Sequence, residues 1–397
     1  MIKRPLYLKR IQPMIDTEFI KVITGVRRSG KSYLLLMIKN MLLERGVKEQ
    51  CIIYINFENP DNAHLLLEKN LYDFVKLNKP DSGKVYLLFD EIQEVNEWQK
   101  QVNGMRVAFD CDIYLTGSNA SLLSGELATY LTGRFVEIKM LPLSFSEYLM
   151  FKNLENGDSS RYFQDYVQYG GFPSVVLQDD AQLKKDVLNG IYQSILWRDV
   201  AFRSDIREPD TLERIARFLI DNIGHSVTTN KIANTIRSSG KKISNVTVDA
   251  YLKLLEDSFL FYKAQRYDIR GKEYLKSQAK YYVSDLGIVL SALKKTQSNR
   301  GSKIENIVFL ELKRKGYEVF VGKYDAKEID FVALRMDQTL YIQVTDQLPD
   351  ESDRETDNLL YLPTGHKKMV ITNHWENVGT IDGIEIVHVV DFLLGND

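Results

Sequence analysis

One stretch near the start of the sequence has the spacing of a phosphate-binding loop. Residues 25–32 read Gly-Val-Arg-Arg-Ser-Gly-Lys-Ser, which fits the pattern G-x-x-x-x-G-K-[ST] in full. The two glycines let backbone N–H groups turn inward around phosphate oxygens, where a Cβ would intrude. In this pattern Lys31 reaches the β- and γ-phosphates and the Ser32 hydroxyl binds Mg²⁺. The expected nucleotide-binding residues are Gly25, Val26, Arg27, Arg28, Ser29, Gly30, Lys31, Ser32 and Tyr33.

Two adjacent acids end an apolar run that begins at Val85. Asp90 is expected to hold Mg²⁺, directly or through water, and Glu91 is expected to polarise the attacking water. A pair of acids rather than a single one favours hydrolysis of the nucleotide over transfer of its phosphoryl group to a substrate. The alternative is a solvated acidic pair at the turn that ends a strand.

Further candidates lie at the fourth and fifth apolar runs. Ser118 or Asn119, which the sequence does not separate, can reach the γ-phosphate or the attacking water; the alternative is an ordinary strand-to-helix turn. Arg134 directly precedes the fifth run and can serve as an arginine finger, on its own site or on a neighbour's. An ordinary surface arginine is the alternative. A finger supplied by a neighbour requires a homo-oligomer.

The elements that position these residues are short, nearly continuous apolar runs alternating with helical patterns. Such runs are typical of strands covered on both faces, and the alternation predicts an α/β fold with a parallel sheet between helices. From about residue 144 the pattern becomes mostly helical. The predicted strands are 19–26, 51–58, 84–92, 112–118 and 134–141.

Taken together, these motifs resemble the AAA-type branch of P-loop ATPases. More narrowly, they are similar to a prokaryotic family of AAA ATPases with a C-terminal domain of uncharacterised function. The resemblance implies ATP and Mg²⁺ as ligands, a sensor role for the polar residue after the fourth strand, and Arg134 as the finger. The residue types in the motifs YGGFP and PLSF suggest no catalytic role. The resemblance rests on the phosphate-binding loop and on INFEN (55–59), FDEIQ (89–93), TGSN (116–119), LTGR…LPLSFSEYL (131–149), YGGFP (169–173) and WRDV (197–200).

The segment 207–290 reads as three helices followed by a β-ribbon, which is the order of a winged helix. Residues 225–280 contain eleven Lys and Arg against five Asp and Glu, a local charge of +6 in a chain of net charge −2. This excess favours double-stranded DNA as a partner, with the helix 245–253 as the recognition helix. A packing or dimerisation module with a solvated basic face is the alternative. The residues suited to phosphate contacts are Lys241, Lys242, Lys253, Arg266, Arg270 and Lys272.

The last part of the chain resembles a restriction-endonuclease-like core, whose metal site needs an acid and then E-x-K on the next strand. Asp330 fits the first acid, while Gln343 stands at the second acid and Thr345 at the lysine. An amide binds Mg²⁺ weakly and threonine supplies no cation, so the fold is predicted and nuclease activity is not.

Composition sets the remaining limits on this 397-residue chain. The balanced charge excludes a wholly basic nucleic-acid coat, and no apolar run reaches the length of a membrane helix. Cys51 and Cys111 allow no disulfide framework beyond one bridge, and free thiols in a reducing cytoplasm are expected. The predicted architecture is a P-loop sheet with a helical lid, a winged helix and a degenerate endonuclease-like α/β domain. The domain boundaries are 1–143, 144–206, 207–290 and 291–397.

The functional expectation is an ATPase that couples Mg²⁺-dependent ATP binding and hydrolysis to a DNA-binding, winged-helix arm. One alternative is a nucleotide-switched scaffold for a protein partner with little turnover. The other is an ATP-driven nuclease, which Gln343 and Thr345 disfavour.

Overall fold

The structure is a computed structural model of the chain. Two compact units make up the fold. The first unit comprises Met1–Met140 and Asp257–Phe259, and the second comprises Leu141–Glu256 and Leu260–Asp397. None of the described helices is long and apolar enough to cross a bilayer. The structure describes residues 2–67, 69–123, 131, 133–154, 159–202, 206, 208–293, 299–336, 338–348 and 354–395.

The first unit is built on a five-stranded parallel sheet in the order β2-β3-β4-β1-β5. This confirms the predicted parallel α/β sheet. The strands are β1 (Ile20–Thr24), β2 (Ile52–Asn56), β3 (Val85–Asp90), β4 (Cys111–Gly117) and β5 (Phe135–Lys139). The helices are α1 (Pro5–Ile11), α2 (Lys31–Glu44), α3 (Asn70–Asn78) and α4 (Trp98–Ala108).

Both faces of this sheet are covered, as the third strand shows. Leu87 and Phe89 belong to one hydrophobic cluster, and Tyr86 and Leu88 belong to another. Since successive side chains of a strand point to opposite faces, a strand buried on both faces is apolar at every position. The two cysteines are free thiols and half-buried.

The second unit begins with helices. These are α5 (Phe145–Phe151), α6 (Ser159–Tyr169), α7 (Pro173–Val176) and α8 (Ala181–Gln193), which continues into a π-helical stretch, Ser194–Phe202. Over the segment predicted as a winged helix come α9 (Pro209–Asp221), β6 (Ser226–Val227), α10 (Thr229–Ser238), α11 (Asn245–Asp257), β7 (Phe261–Asp268), β8 (Glu273–Val283) and α12 (Gly287–Ala292).

The C-terminal part adds α13 (Arg300–Arg314), β9 (Glu318–Tyr324), β10 (Lys327–Arg335), β11 (Gln338–Thr345), α14 (Arg354–Leu360), β12 (Lys367–Thr372), β13 (Gly379–Ile381), β14 (Ile384–His388) and α15 (Val389–Leu394). Its strands and those of the preceding segment form one sheet, in the order β13-β14-β12-β11-β10-β9-β7-β8-β6.

The hairpin β7–β8, which the sequence predicts as a separate ribbon, is therefore continuous with the C-terminal strands. Arg266 pairs with Val321 and Asp268 with Lys323 in a parallel ladder between β7 and β9. The turn of the hairpin is also anchored, because Ile269 is buried and its N–H donates to the Lys323 carbonyl over 2.9 Å. The boundary predicted between 290 and 291 stays a prediction.

The YGGFP motif has a structural reason that its sequence alone does not supply. Gly170 has φ +74°, and a Cβ there would stand 1.7 Å from Asp285 Oδ1. The N–H groups of Gly171 and Gly287 donate to the two oxygens of Asp285 over 2.6 and 2.8 Å. Burial raises the pKa of Asp285 to about 7, although these two hydrogen bonds oppose the shift. The glycines thus make room for a buried carboxyl group that joins α6 to α12.

Candidate nucleotide-binding site

The loop between β1 and α2 has the backbone geometry of a phosphate cradle. Gly25 has φ +151°, and a Cβ at this position would stand 2.1 Å from the Met140 carbonyl oxygen. Gly30 has φ +102° and is the N-cap residue of α2, where no side chain caps the helix. The N-terminal N–H groups of a 14-residue helix therefore face the loop.

Lys31 is the first residue of α2 and is 4% exposed. Its Nζ donates to the carbonyl oxygens of Gly25 and Val26 over 3.0 and 3.3 Å, and it lies 3.7 Å from Glu91 Oε1. The ammonium group is thus held over the loop, beside the acidic pair at the end of β3.

Asp90 is fully buried and is held by side chains of the two neighbouring strands, β2 and β4. Thr116 Oγ1 on β4 donates to Asp90 Oδ1 over 2.6 Å, and Asn56 Nδ2 on β2 donates to Oδ2 over 3.1 Å. Burial raises the pKa of Asp90, while hydrogen bonds from Thr116 and Ser32 oppose the shift. The Ser32 hydroxyl and the Asp90 carboxylate, the two predicted Mg²⁺ ligands, therefore lie near each other at the end of the loop.

Glu91 follows in the left-handed region, at φ +56°. Its N–H donates to Thr116 Oγ1 over 2.9 Å, so one hydroxyl positions both acids. Its carboxylate accepts a 2.5 Å hydrogen bond from Gln93 Nε2.

Ser118 and Asn119 follow β4 at the same edge, since Gly117 pairs with Thr24 directly before the loop. Ser118 is fully buried, whereas Asn119 is half-buried. Among the described side chains, the buried hydroxyl oxygens of Ser118 and of Ser29 in the loop have no hydrogen-bond partner. Buried hydroxyls without a partner are rare, so this edge has unused capacity for a polar ligand.

Arg134 lies at the amino-terminal ends of the strands, whereas the loop follows the carboxyl end of β1. It precedes β5, and its carbonyl accepts the N–H of Ile20 at the start of β1. The length of β1, about 13 Å, separates it from the loop at the other end of the strand. The structure does not bring Arg134 together with the loop of its own chain, so a finger acting on its own site is not supported. Thr132, which belongs to the same motif, lies outside the described residues.

The remaining loop residues differ in their surroundings. Arg27 is buried and its Nη2 lies 2.7 Å from Glu58 Oε1, whereas Arg28 is exposed and Tyr33 is 63% exposed. The sequence interpretation missed Arg4, which is 2% exposed and donates through Nη1 to the Ser29 carbonyl over 3.2 Å.

Three further residues of the site were not assigned a role from the sequence: Asn56, Gln93 and Thr116. Each lies within a stretch that carries the family resemblance, namely INFEN, FDEIQ and TGSN. The stretches thus contained a signal, but the contacts of Asn56 and Thr116 that explain it run between strands, and only that of Gln93 is local.

The residues present fit a magnesium nucleotide. The cradle excludes a side chain at Gly25, and the helix end and Lys31 supply positive charge. Ser32 and Asp90 would hold Mg²⁺ through oxygen atoms, the ligands that this ion prefers.

Comparison with known proteins identifies the family. The AAA domain family matches residues 17–149, and a domain of unknown function matches residues 160–299. The chain is 47% identical to an uncharacterised protein of Haemophilus influenzae over 99% of both chains. It belongs to the family of AAA-type P-loop ATPases with a C-terminal domain of unknown function. A second relative, an uncharacterised protein of Methanocaldococcus jannaschii, is 34% identical over 86% of this chain and 78% of that protein.

Among solved structures, this AAA-type chain is similar to a Walker-type ATPase of Pyrococcus abyssi. The TM-score is 0.52 at 15% identity, covering 74% of this chain and 96% of the other. At this identity the similarity shows the fold alone.

Of the basic residues predicted to contact DNA, two lie beside acidic side chains, and the others differ in their exposure. Arg270 pairs with Asp325 over 3.0 Å, and Arg266 lies 3.8 Å from Glu328. These acids lie outside the stretch 225–280, so the +6 count overestimates the charge left on this part of the surface. In the helical part, Lys242 and Lys253 are exposed and Lys241 is half-buried; in the hairpin, Lys272 is exposed.

Proposed function

We propose that this protein binds ATP with Mg²⁺ and hydrolyses it. The observation that carries the proposal is the acidic pair at the end of β3, where Asp90 is buried and hydrogen-bonded to Thr116, and where Glu91 lies 3.7 Å from the ammonium group that Lys31 holds over the loop. A phosphate-bound Mg²⁺ between Ser32 and Asp90 would place the γ-phosphate within reach of Lys31 and Glu91.

The chain's own residues then have separate tasks in hydrolysis. Loop N–H groups and Lys31 bind the phosphates, and Ser32 and Asp90 hold the metal. Glu91 accepts a proton from the attacking water, and Ser118 or Asn119 contacts the γ-phosphate or that water. Gln93 and Thr116 keep Glu91 in position before the nucleotide arrives.

The test compares Lys31→Ala, Glu91→Gln and the control Lys39→Ala. Lys39 lies on the same helix but pairs with Glu49, away from the loop. Removing the charge-assisted contacts of Lys31 should weaken ATP binding about 10- to 100-fold. Glu91→Gln should bind ATP normally and lose about 100-fold or more in turnover. Binding is measured with a fluorescent ATP analogue and turnover by phosphate release.

Two results would contradict the assignment: wild-type turnover in Glu91→Gln, or an equal loss of binding in Lys31→Ala and Lys39→Ala. If ATP binds tightly and turnover is absent in the wild-type protein, the nucleotide-switched scaffold is favoured instead.

Contact with double-stranded DNA through the corner between α10 and α11 is a second candidate function. Lys231 and Lys242 are exposed there, and Val246 near the start of α11 is 78% exposed. Arg237 donates hydrogen bonds to neutral groups, including the amide oxygens of Asn234 and Asn245, so these contacts do not neutralise its charge. Exposed cations around a protruding helix end suit a phosphate backbone.

Duplex binding should therefore depend on the helical corner more than on the hairpin. We expect Lys242→Ala to weaken binding and to reduce the salt slope by about one unit. Arg270→Ala is the matched control, because Arg270 already pairs with Asp325. The measurement is fluorescence anisotropy of labelled duplex DNA in a salt titration. Absence of duplex binding at low salt would reject this candidate and leave the ATPase assignment intact.

A further inference from the structure

A lysine from the hairpin occupies the place where an endonuclease-like fold would hold its metal. Lys280 Nζ, on β8, lies 2.9 Å from Glu305 Oε1 on α13. It also lies 3.2 Å from Glu328 Oε1 and 3.2 Å from Asp330 Oδ1, both on β10. We call Lys280, Glu305, Glu328 and Asp330 the Lys280 cluster.

The other oxygens that a metal would use are already engaged. Asp330 Oδ2 accepts the N–H of Val344 over 3.0 Å. The side-chain oxygen of Gln343 accepts the N–H of Asp330 over 2.7 Å, and its amide group donates to Glu355 over 2.8 Å. Thr345, at the position of the nuclease lysine, donates to the Gln347 carbonyl. The residues present therefore do not fit a divalent metal.

Lys280 is itself unsuited to catalysis on DNA, because its side chain is 4% exposed. Burial by itself lowers the pKa of Lys280, but the carboxylates of Glu305, Asp330 and Glu328 raise it above its usual value, so the group stays charged. Tyr282 OH donates to Glu305 over 2.6 Å and completes the enclosure of the ammonium group. A scissile phosphate has no access to a cation held in this way.

We propose that the Lys280 ammonium replaces the divalent cation of an endonuclease-like site, and that the site now serves as an ion-paired junction. Lys280 comes from the segment 207–290, whereas its three partners come from the segment 291–397. The junction holds β8 against α13 and β10. Strands β8 and β10 also belong to the one sheet that the β7–β9 pairing completes. The ion pairs of the Lys280 cluster thus connect the hairpin to the helix and strand that follow it in the chain.

The test measures Mn²⁺ binding to the full chain without nucleotide, by electron paramagnetic resonance of free Mn²⁺. Lys280→Met removes the charge and keeps the length, Lys280→Arg keeps the charge, and Asp330→Asn removes a candidate ligand. We expect the wild type, Lys280→Arg and Asp330→Asn to bind Mn²⁺ equally. We expect Lys280→Met to bind one additional Mn²⁺ per chain and to be thermally stabilised by Mn²⁺. The double variant Lys280→Met/Asp330→Asn should lose both the additional Mn²⁺ and the stabilisation.

Two outcomes would overturn the proposal. One is Mn²⁺ binding or Mn²⁺-dependent DNA cleavage by the wild type that Asp330→Asn abolishes. The other is a folded Lys280→Met protein with no additional Mn²⁺. If Lys280→Met fails to fold, the comparison of the wild type with Asp330→Asn still decides, because it uses no Lys280 variant. None of these measurements depends on ATP binding or turnover.

Discussion

Thr116 joins the acidic pair of the candidate site to the neighbouring strand. Its hydroxyl donates to Asp90 and accepts the N–H of Glu91, so it satisfies one buried acceptor and one backbone donor at once. Because burial raises the pKa of Asp90, each hydrogen bond to the ionised carboxylate helps to keep it able to bind a metal.

We expect Thr116→Val to cost about 1–3 kcal/mol of stability, because it leaves a buried oxygen and an N–H group unpaired. It should also raise the pKa of Asp90 further. Asp90 would then be protonated at a higher pH, so Mg²⁺-dependent turnover would begin to fall at a higher pH on acidification. Phosphate release across the acid range, with saturating ATP, measures this shift.

Thr116→Ser is the matched control, since serine keeps the hydroxyl and loses only a methyl group. Its acid limb should coincide with that of the wild type. The role given to Thr116 would be wrong if Thr116→Val kept the wild-type pH profile.

At this scale the sequence predicts residues with a diagnostic local pattern. The loop at 25–32 and the pair Asp90–Glu91 follow from spacing alone. Thr116 and Arg4 do not, because a threonine in a strand and an arginine near a terminus are ordinary by sequence. Their partners lie at least 25 positions away in the chain.

At the scale of elements, the pair Gly170–Gly171 fixes the junction of α6 with α12. The first glycine has a backbone conformation that L residues rarely adopt, and it faces a carboxyl group that any Cβ would displace. The second glycine adds a close approach, because a Cβ there would stand 2.4 Å from the Leu143 carbonyl oxygen. This approach packs PLSF, which contains Leu143, directly against YGGFP.

We expect Gly170→Ala to destabilise the protein by more than about 2 kcal/mol, through backbone strain and displacement of Asp285. Gly190→Ala is the matched control, since Gly190 lies within α8 and nothing lies within 4 Å of a Cβ built there. That substitution should be neutral or stabilising by about 1 kcal/mol. Urea unfolding followed by circular dichroism compares the two, and equal midpoints would contradict the prediction.

The elements themselves divide into those that local patterns predict and those that they do not. Continuous apolar runs are sufficient to predict the five parallel strands, because burial on both faces leaves its mark at each position. The place of β7 and β8 is set by ladder pairing with β9, more than 50 positions further on. No local pattern encodes that pairing, so the sequence predicts the β7–β8 hairpin but not its pairing with β9.

At the scale of the whole molecule, charge is the property that a local count describes least well. Lys280, Arg266 and Arg270 contribute to the predicted basic excess, yet each lies beside an acid from residues 305–330. The count is correct as arithmetic, but folding pairs these cations with acids outside the counted stretch. A basic surface can therefore be inferred only after the tertiary partners of each cation are known.

Arg134 leads to the last prediction, because its place does not support action on its own site and leaves action on a neighbour's site to be tested. It is exposed and separated from its own loop by the length of β1, so any action on ATP must be on the site of a neighbouring chain. Arg134→Ala should bind ATP like the wild type and turn it over at least about ten-fold more slowly.

Mixing inactive subunits tests this shared site. Lys31→Ala chains lack a working loop but keep Arg134, whereas Arg134→Ala chains keep the loop. In an equal mixture about a quarter of the sites would combine an intact loop with an intact neighbouring arginine, so turnover should reappear in that proportion. Phosphate release from the mixture, after the subunits have exchanged, gives the answer. A mixture no more active than its components would show that Arg134 acts on no neighbour, and the finger would have to be another residue.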